Sequence, residues 1–407
     1  MINPTLESES GRAHYLRVYR EGLLRDTLPF WFPRCVDEEH GGYLHCRDGD
    51  GSLIDSDKSV WAQGRMAWML LELWNTIEKR PEWLNWAQSG LDFLARHGFD
   101  SDGRMFFHLA RDGSPLRKRR YAYSESFAAI AWAAHAKATG DDQSASRAAK
   151  LFDHFTRWNF TPGLMPSKDT GNRPAIGLGP RMITIVTAQE LRANLGESKL
   201  WTSWIDRCID EIDRLFVKHD LRAVMETVAP DGSIINHFDG RLLNPGHAIE
   251  GAWFILREAE HRGDKPMAQF GCLMVDYAWE RGWDHQHGGL FYFRDIEGKP
   301  VSEYWHDMKF WWPHNEAVIA TLMAWEATGN SKYASWHAMV HEWSHRHFAD
   351  PAHGEWFGYL HRDGRLSNTI KGNLWKSCFH HPRMQYWCWR RLAASLGITL
   401  SPESPLG

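Results

Sequence analysis

Two short peptides carry histidine in settings suited to moving protons. In Asn244-Pro-Gly-His-Ala-Ile-Glu250, Asn244 reads as a helix N-cap and Pro245 as the first helical residue, so His247 falls in the first turn. The helix dipole disfavours imidazolium there, and a neutral ring suited to general-base work near pH 7 is expected. Glu250 lies three residues on and shares that face, so it is expected to orient or hydrogen-bond with His247. In Lys376-Ser-Cys-Phe-His380-His381-Pro-Arg383, two histidines stand side by side. Neighbours on a helix diverge by about 100°, so one is expected to face a lumen and the other to pack outward. No carboxylate or histidine at ligand spacing accompanies them, and no metal is expected. His341 and His345 do stand i, i+4 on a helix, but they follow a short turn and read as a solvated face.

A second group pairs aromatic rings with single charges. Trp61 and Gln63 precede Arg65, Trp312 precedes Glu316, and Trp375 precedes the histidine pair. The chain holds 23 Trp and 23 His, many of the Trp beside His, Glu, Arg or Asn. Such rings suit the apolar C–H face of a sugar, whose hydroxyls want hydrogen bonds at the rim. Trp61, Gln63, Glu125, Trp312 and Trp375 are the candidate binding residues, with Glu125 also able to anchor an Arg or backbone groups. Dinucleotide, P-loop and serine-hydrolase motifs are absent, so their chemistry is not suggested.

These residues must be brought together by elements that repeat. Short breaks anchored at Arg80, Gly140, Gly196, Gly263, Gly329 and Gly397 recur every 56 to 68 residues. A longer set, rich in Gly, His and aromatics, is anchored at Gly41, Gly103, Gly163, Gly232, Gly288 and Gly354 and recurs every 56 to 69. Between breaks the apolar spacing is helical, as in Ala62, Met66, Met69, Leu70 and Leu73. Twelve helices in six hairpins, with long loops carrying short β-hairpins at one end, bury their inner faces by closing. The expectation is an all-α (α/α)6 barrel formed by residues 1–407 as one domain, with an open α-solenoid as the alternative. Arg65, Glu125, His247, Glu316 and His380 follow the long-loop glycines by 15 to 28 residues, near the starts of alternate helices. If those helices form the inner ring, the charged groups converge on its axis.

Composition narrows the partners. With 47 Lys+Arg against 51 Asp+Glu, net charge is -4 and no basic surface for nucleic acid or anionic membrane is indicated. The N-terminus lacks an apolar h-region, no 18-residue apolar run exists and the six cysteines form no C-x-x-C pair. Reduced core thiols in a cytoplasmic protein are expected.

The same peptides resemble the N-acylglucosamine 2-epimerase family. Val60-Trp-Ala-Gln-Gly-Arg65, Asn244-Pro-Gly-His-Ala-Ile-Glu250, Gly288-Gly-Leu-Phe-Tyr-Phe293, Met308-Lys-Phe-Trp-Trp-Pro-His-Asn-Glu-Ala317, Gly354-Glu-Trp-Phe-Gly-Tyr359 and Cys378-Phe-His380 occur in family order. The resemblance implies C2 epimerisation of N-acetylglucosamine and N-acetylmannosamine, with Arg65, His247, Glu250, Glu316 and His380 as site residues and the histidines as acid and base. His381 and Ser377 depart from residues common in relatives. The segment Gly171–Gly177 loosely resembles a loop linked to nucleotide activation, so ATP is a candidate effector, while no redox or metal cofactor is implied. Thr187 stands where related mannose isomerases and disaccharide 2-epimerases carry a further histidine. The expected partner is a monosaccharide, with a homodimer as the candidate assembly. The rival readings are an epimerase or aldose–ketose isomerase of unsubstituted hexoses, a glycoside hydrolase using Glu250 and Glu316, and a sugar-binding protein without turnover.

Overall fold

The computed structural model describes residues 4–118, 122–165 and 173–403. Twelve helices of 13 to 19 residues dominate it: α1 (Glu9–Glu21), α2 (Val60–Thr76), α3 (Pro81–His97), α4 (Tyr123–Thr139), α5 (Asp142–Phe160), α6 (Leu178–Leu195), α7 (Lys199–Glu211), α8 (Pro245–Arg262), α9 (Lys265–Gly282), α10 (Trp311–Thr328), α11 (Ser331–His347) and α12 (His380–Ser395). Even-numbered helices pack on one another in succession, and α12 closes on α2. Odd-numbered helices cover them from outside. The ring is therefore closed, as the (α/α)6 expectation requires, and not an open solenoid. Burial follows position in the ring. The outer α7 buries only Trp201, Ile205 and Cys208, a stripe at helical spacing, whereas the inner α10 buries every residue from Trp311 to Ala324.

The short turns behave as their glycines predict. Gly140, Gly263 and Gly329 adopt the left-handed conformation and return their N–H to the carbonyls of Ala136, Ala259 and Trp325. In the next residues Asp141, Asp264 and Asn330 cap the following outer helices.

Long loops gather at the other end and are tied into a collar. Lys58–Ser59 pairs with His108–Leu109, Ile176–Gly177 with Thr227–Val228, Leu242–Leu243 with Arg294–Asp295, and Lys309–Phe310 with Tyr359–Leu360. The backbone of Arg47 meets Lys371 and Gly372, which joins the last loop to the first. Four loops are also stapled across their own ends by a lysine two to nine residues ahead of the inner helix. Lys58 reaches Asp37 at 2.8 Å, Lys118 reaches Asp100 at 2.7 Å, Lys309 reaches Asp284 at 3.1 Å and Lys371 reaches Asp350 at 2.6 Å. Lys58 and Lys309 are fully buried, so pairing has to offset the cost of taking their charge out of water.

The His341/His345 face departs from the sequence expectation. It is not solvated: Tyr19 of α1 bonds His337 Nε2 at 3.0 Å and His341 Nδ1 at 2.9 Å, and the His341 and His345 rings lie 4.0 Å apart. Helix α1 covers that surface, which local spacing could not reveal. All six cysteines are free and buried. Among the described residues, no helix is long and apolar enough to cross a membrane.

Several histidines are held neutral by burial. His314 and His337 are pushed down to about 3, and His45 and His345 to about 4. A depressed folded pKa means that the unfolded chain binds more protons below about 6.5, so stability falls as pH falls through that value. His314 and His337 alone predict a loss of about 4 kcal/mol between pH 7 and pH 5. Urea unfolding at the two pH values measures it; equal stability at both would contradict this account of the core.

Candidate active site

A cavity of about 1090 Å³ opens among the long loops and descends between the inner helices. Trp61, Arg65, His247, Glu250, Trp312, Trp375 and His380 line it. Helix register explains the convergence. Arg65, Glu250 and Glu316 are each the sixth residue of an inner helix, so they form one layer, while His247 and His380 lie in the first turns of theirs. Glu316 is fully buried behind His380 and does not line the cavity.

Arg383 organises that layer. One turn after His380, its guanidinium donates to Glu250 and, at 2.6 Å, to Glu316. Trp253 Nε1 donates to the second Glu316 oxygen at 2.8 Å, and His380 Nδ1 lies 2.7 Å from the first. A carboxylate only accepts, so Nδ1 of His380 carries the hydrogen and Nε2 keeps its lone pair. Burial, and then the nearby Arg383 charge, pushes His380 well below its ordinary pKa. Ligand atoms of Glu250, Glu316 and His380 converge within 4.8 Å of one another. The cation already bonded to both carboxylates is the Arg383 guanidinium.

His247 is held differently from the way its sequence suggests. Glu250 is committed to Arg383, and the partner of His247 Nδ1 is Glu226, both of whose oxygens lie 3.0 Å away. Burial pulls the ring toward the neutral form, but the Glu226 carboxylate outweighs it and raises the pKa. The expected neutral, dipole-dominated ring is thus corrected: an adjacent full charge exceeds the partial charge of the helix end. The two histidines are displaced in opposite directions. Trp312 touches both, with ring centroids 5.0 Å from His247 and 5.8 Å from His380.

Arg65 lacks any carboxylate bonded to it among the described residues. Its guanidinium lies 3.9 Å from the Phe127 ring, 4.6 Å from Phe379 and 5.4 Å from Trp61, and its Nε is buried without an acceptor. Burial pulls its pKa down to about 9, which still leaves it charged at neutral pH. It is a part-buried cation facing a cavity, suited to stabilising an oxyanion.

Two predicted binding residues point elsewhere. Gln63 accepts the Tyr43 N–H at 2.7 Å and donates to the Tyr43 carbonyl at 3.0 Å. Glu125 accepts the Met105 N–H at 2.9 Å and faces Arg104. Neither lines the cavity. His314 does the same for Leu290, at 2.9 Å. All three sit in the first turn of an inner helix and pin the preceding long loop, a structural repeat that keeps step with the charged layer. His381 packs outward as expected, stacked 4.1 Å from Trp356 and bonded to Asn315. Arg383 was readable in principle, since it shares the His380 face at i+3. Glu226 carries no such signal, being a single carboxylate in an irregular loop. Gly171 and Asn172, of the segment compared with a nucleotide loop, lie outside the described residues.

The N-acylglucosamine 2-epimerase (GlcNAc 2-epimerase) family model matches residues 42–383. The chain is 36% identical to the N-acylglucosamine 2-epimerase of Bos taurus, across 98% of this chain and 96% of the relative. Its fold is similar to a cellobiose 2-epimerase from Bacillus thermoamylovorans, with a TM-score of 0.82 and 19% identity, covering 93% of this chain and 100% of that one. It is also similar to a D-mannose isomerase, with a TM-score of 0.76 and 19% identity over 95% and 99% of the two chains.

Arg383 and Arg65 predict opposite stability effects. Arg383→Met strands two buried carboxylates and is expected to cost about 3–5 kcal/mol. Arg65→Met removes a part-buried charge to which no carboxylate is bonded and is expected to add about 0.5–2 kcal/mol. Urea midpoints at unchanged m-value measure both; a shift of the same sign in the two variants would contradict this assignment of charges.

Proposed function

The chain belongs to the N-acylglucosamine 2-epimerase family and is a sugar 2-epimerase, and on that premise we propose that it interconverts N-acetyl-D-glucosamine and N-acetyl-D-mannosamine by proton transfer between two histidines. The observation that carries the mechanism is the pair itself: one histidine biased toward imidazolium, the other toward the free base, both against Trp312.

In the open-chain sugar the C2 proton is acidic because it lies alpha to the C1 aldehyde. His380 Nε2 removes it, and the electrons move into an enolate whose C1 oxygen is stabilised by Arg65. His247 returns a proton to the opposite face of C2. Glu316 and Glu226 fix the two rings through Nδ1, while Glu250 and Arg383 hold the charged layer together. Trp61 and Trp375, whose rings meet at 5.9 Å, supply an aromatic rim for the sugar's C–H surface.

The choice of an acylated substrate rests on the opposite wall. Phe127 and Ile130 of α4 with Met182, Ile183 and Val186 of α6 present apolar side chains there, and of the polar residues beside them Arg181 is bonded to Glu211 and Glu190 to Trp68 and Arg257. Thr187 spends its hydroxyl on the Ile183 carbonyl at 2.6 Å. An acyl methyl is favoured beside such a surface, whereas a bare hydroxyl loses water for nothing. The hydrolase reading is disfavoured because Glu250 and Glu316 share one guanidinium, so neither is placed as a proton donor to a leaving group.

Turnover in D2O is expected to place deuterium at C2 of the product, read by NMR. His247→Asn and His380→Asn are each expected to lower epimerisation by about a hundred- to ten-thousand-fold. Epimerisation without C2 deuterium, or normal turnover by both variants, would refute the mechanism. For substrate choice, kcat/KM for N-acetylmannosamine is expected to exceed that for mannose by about 10- to 200-fold; a preference for mannose would move the assignment to unsubstituted hexoses.

A further inference from the structure

We propose that Glu226 is a positioning residue for the reaction, holding His247 in place as the resting acid of the histidine pair; the inference rests on the two-histidine reading above. Glu226 belongs to no helix. It lies in the loop between α7 and α8, where its N–H donates to the Leu242 carbonyl at 3.2 Å and its carbonyl accepts from the Leu178 N–H at 2.9 Å. Met225 and Val228 beside it are fully buried. The backbone is therefore clamped between neighbouring parts of the collar, and the side chain is delivered to the cavity wall at a fixed place.

The two carboxylates behind the two histidines are not equivalent. Glu316 serves three donors, namely Arg383, Trp253 and His380, and its charge is shared with a guanidinium. Glu226 bonds the His247 ring through both oxygens, and among the described residues no lysine or arginine is paired with it. A carboxylate not already paired with a cation favours a protonated imidazole; one already paired favours it far less.

Other charged groups face His247 from the surrounding elements. They are Glu250 on its own helix, Glu316 of α10, Arg65 of α2, and His380 and Arg383 of α12. The Tyr292 hydroxyl approaches from the α9–α10 loop and feels the Glu226 charge. Arg65 and Arg383 oppose the charges of Glu250 and Glu316, which leaves Glu226 as the carboxylate bonded to the ring. The consequence is a division of labour. His247 begins turnover protonated and His380 unprotonated, and each turnover leaves them swapped until solvent resets both.

The test uses the full-length enzyme with isotope-labelled histidine, titrated by NMR without substrate. The His247 signal is identified by its loss in His247→Asn. Its midpoint in the parent enzyme is expected above the ordinary histidine value of about 6.5. Glu226→Gln is expected to lower that midpoint by at least about one pH unit, which is a tenfold change in proton affinity. Glu226→Asp should restore part of the shift. In the same variants the basic limb of kcat/KM should move to lower pH by a similar amount, with KM changed less than kcat. An unmoved His247 midpoint in Glu226→Gln, or a rate loss equal at every pH, would overturn the proposal. The titration needs no turnover, so its failure is distinct from failure of the two-histidine reading, which shows instead in His380→Asn.

Discussion

The shared guanidinium of Arg383 is the contact on which the rest of the site depends. Two carboxylates from different inner helices, Glu250 and Glu316, are buried beside each other and both accept hydrogen bonds from it. Because Glu316 is fixed, it can take the Nδ1 hydrogen of His380 and turn the lone pair of Nε2 into the cavity. Because both carboxylates are occupied, neither bonds Arg65, which is left as a cation surrounded by aromatic rings. Without Arg383 the two buried carboxylates face each other uncompensated, and the arrangement that fixes the His380 tautomer and leaves Arg65 unpaired is lost.

The barrel makes such a layer affordable by holding it from both sides. Outer helices bury one stripe each, inner helices are buried all round, and the collar of paired strands fixes the long loops from which His247 and His380 follow. First-turn anchors at Gln63, Glu125 and His314 and the lysine staples at Lys58, Lys309 and Lys371 repeat this locking from loop to loop. Apart from Glu226, the charged residues of the cavity sit on a few inner helices, while the scaffold that positions them is spread around the ring.

Much of this was legible in the chain. The alternating glycine breaks predict the hairpins and the closed ring, and the common offset of charged residues predicts a layer near one end. The same offset misled at Glu125, and adjacency to Trp61 and Arg65 misled at Gln63, because a loop anchor in the first turn of an inner helix keeps as good step with a repeat as a cavity residue does. It also could not say which carboxylate would meet His247. Glu250 is near in sequence, but Arg383 arrives from the far end of the chain and claims it, and Glu226 is supplied by an irregular loop. Periodicity reports which face a residue occupies; competition among buried charges is settled only once the ring is closed.

The central claim is an electrostatic asymmetry between two histidines that touch one tryptophan, and neutron diffraction reads it directly. Crystals of the enzyme exchanged into D2O near neutral pD would show where each imidazole carries its hydrogen. The account predicts deuterium on both ring nitrogens of His247 and on Nδ1 alone of His380. Two neutral rings, or a doubly deuterated His380 beside a neutral His247, would contradict it.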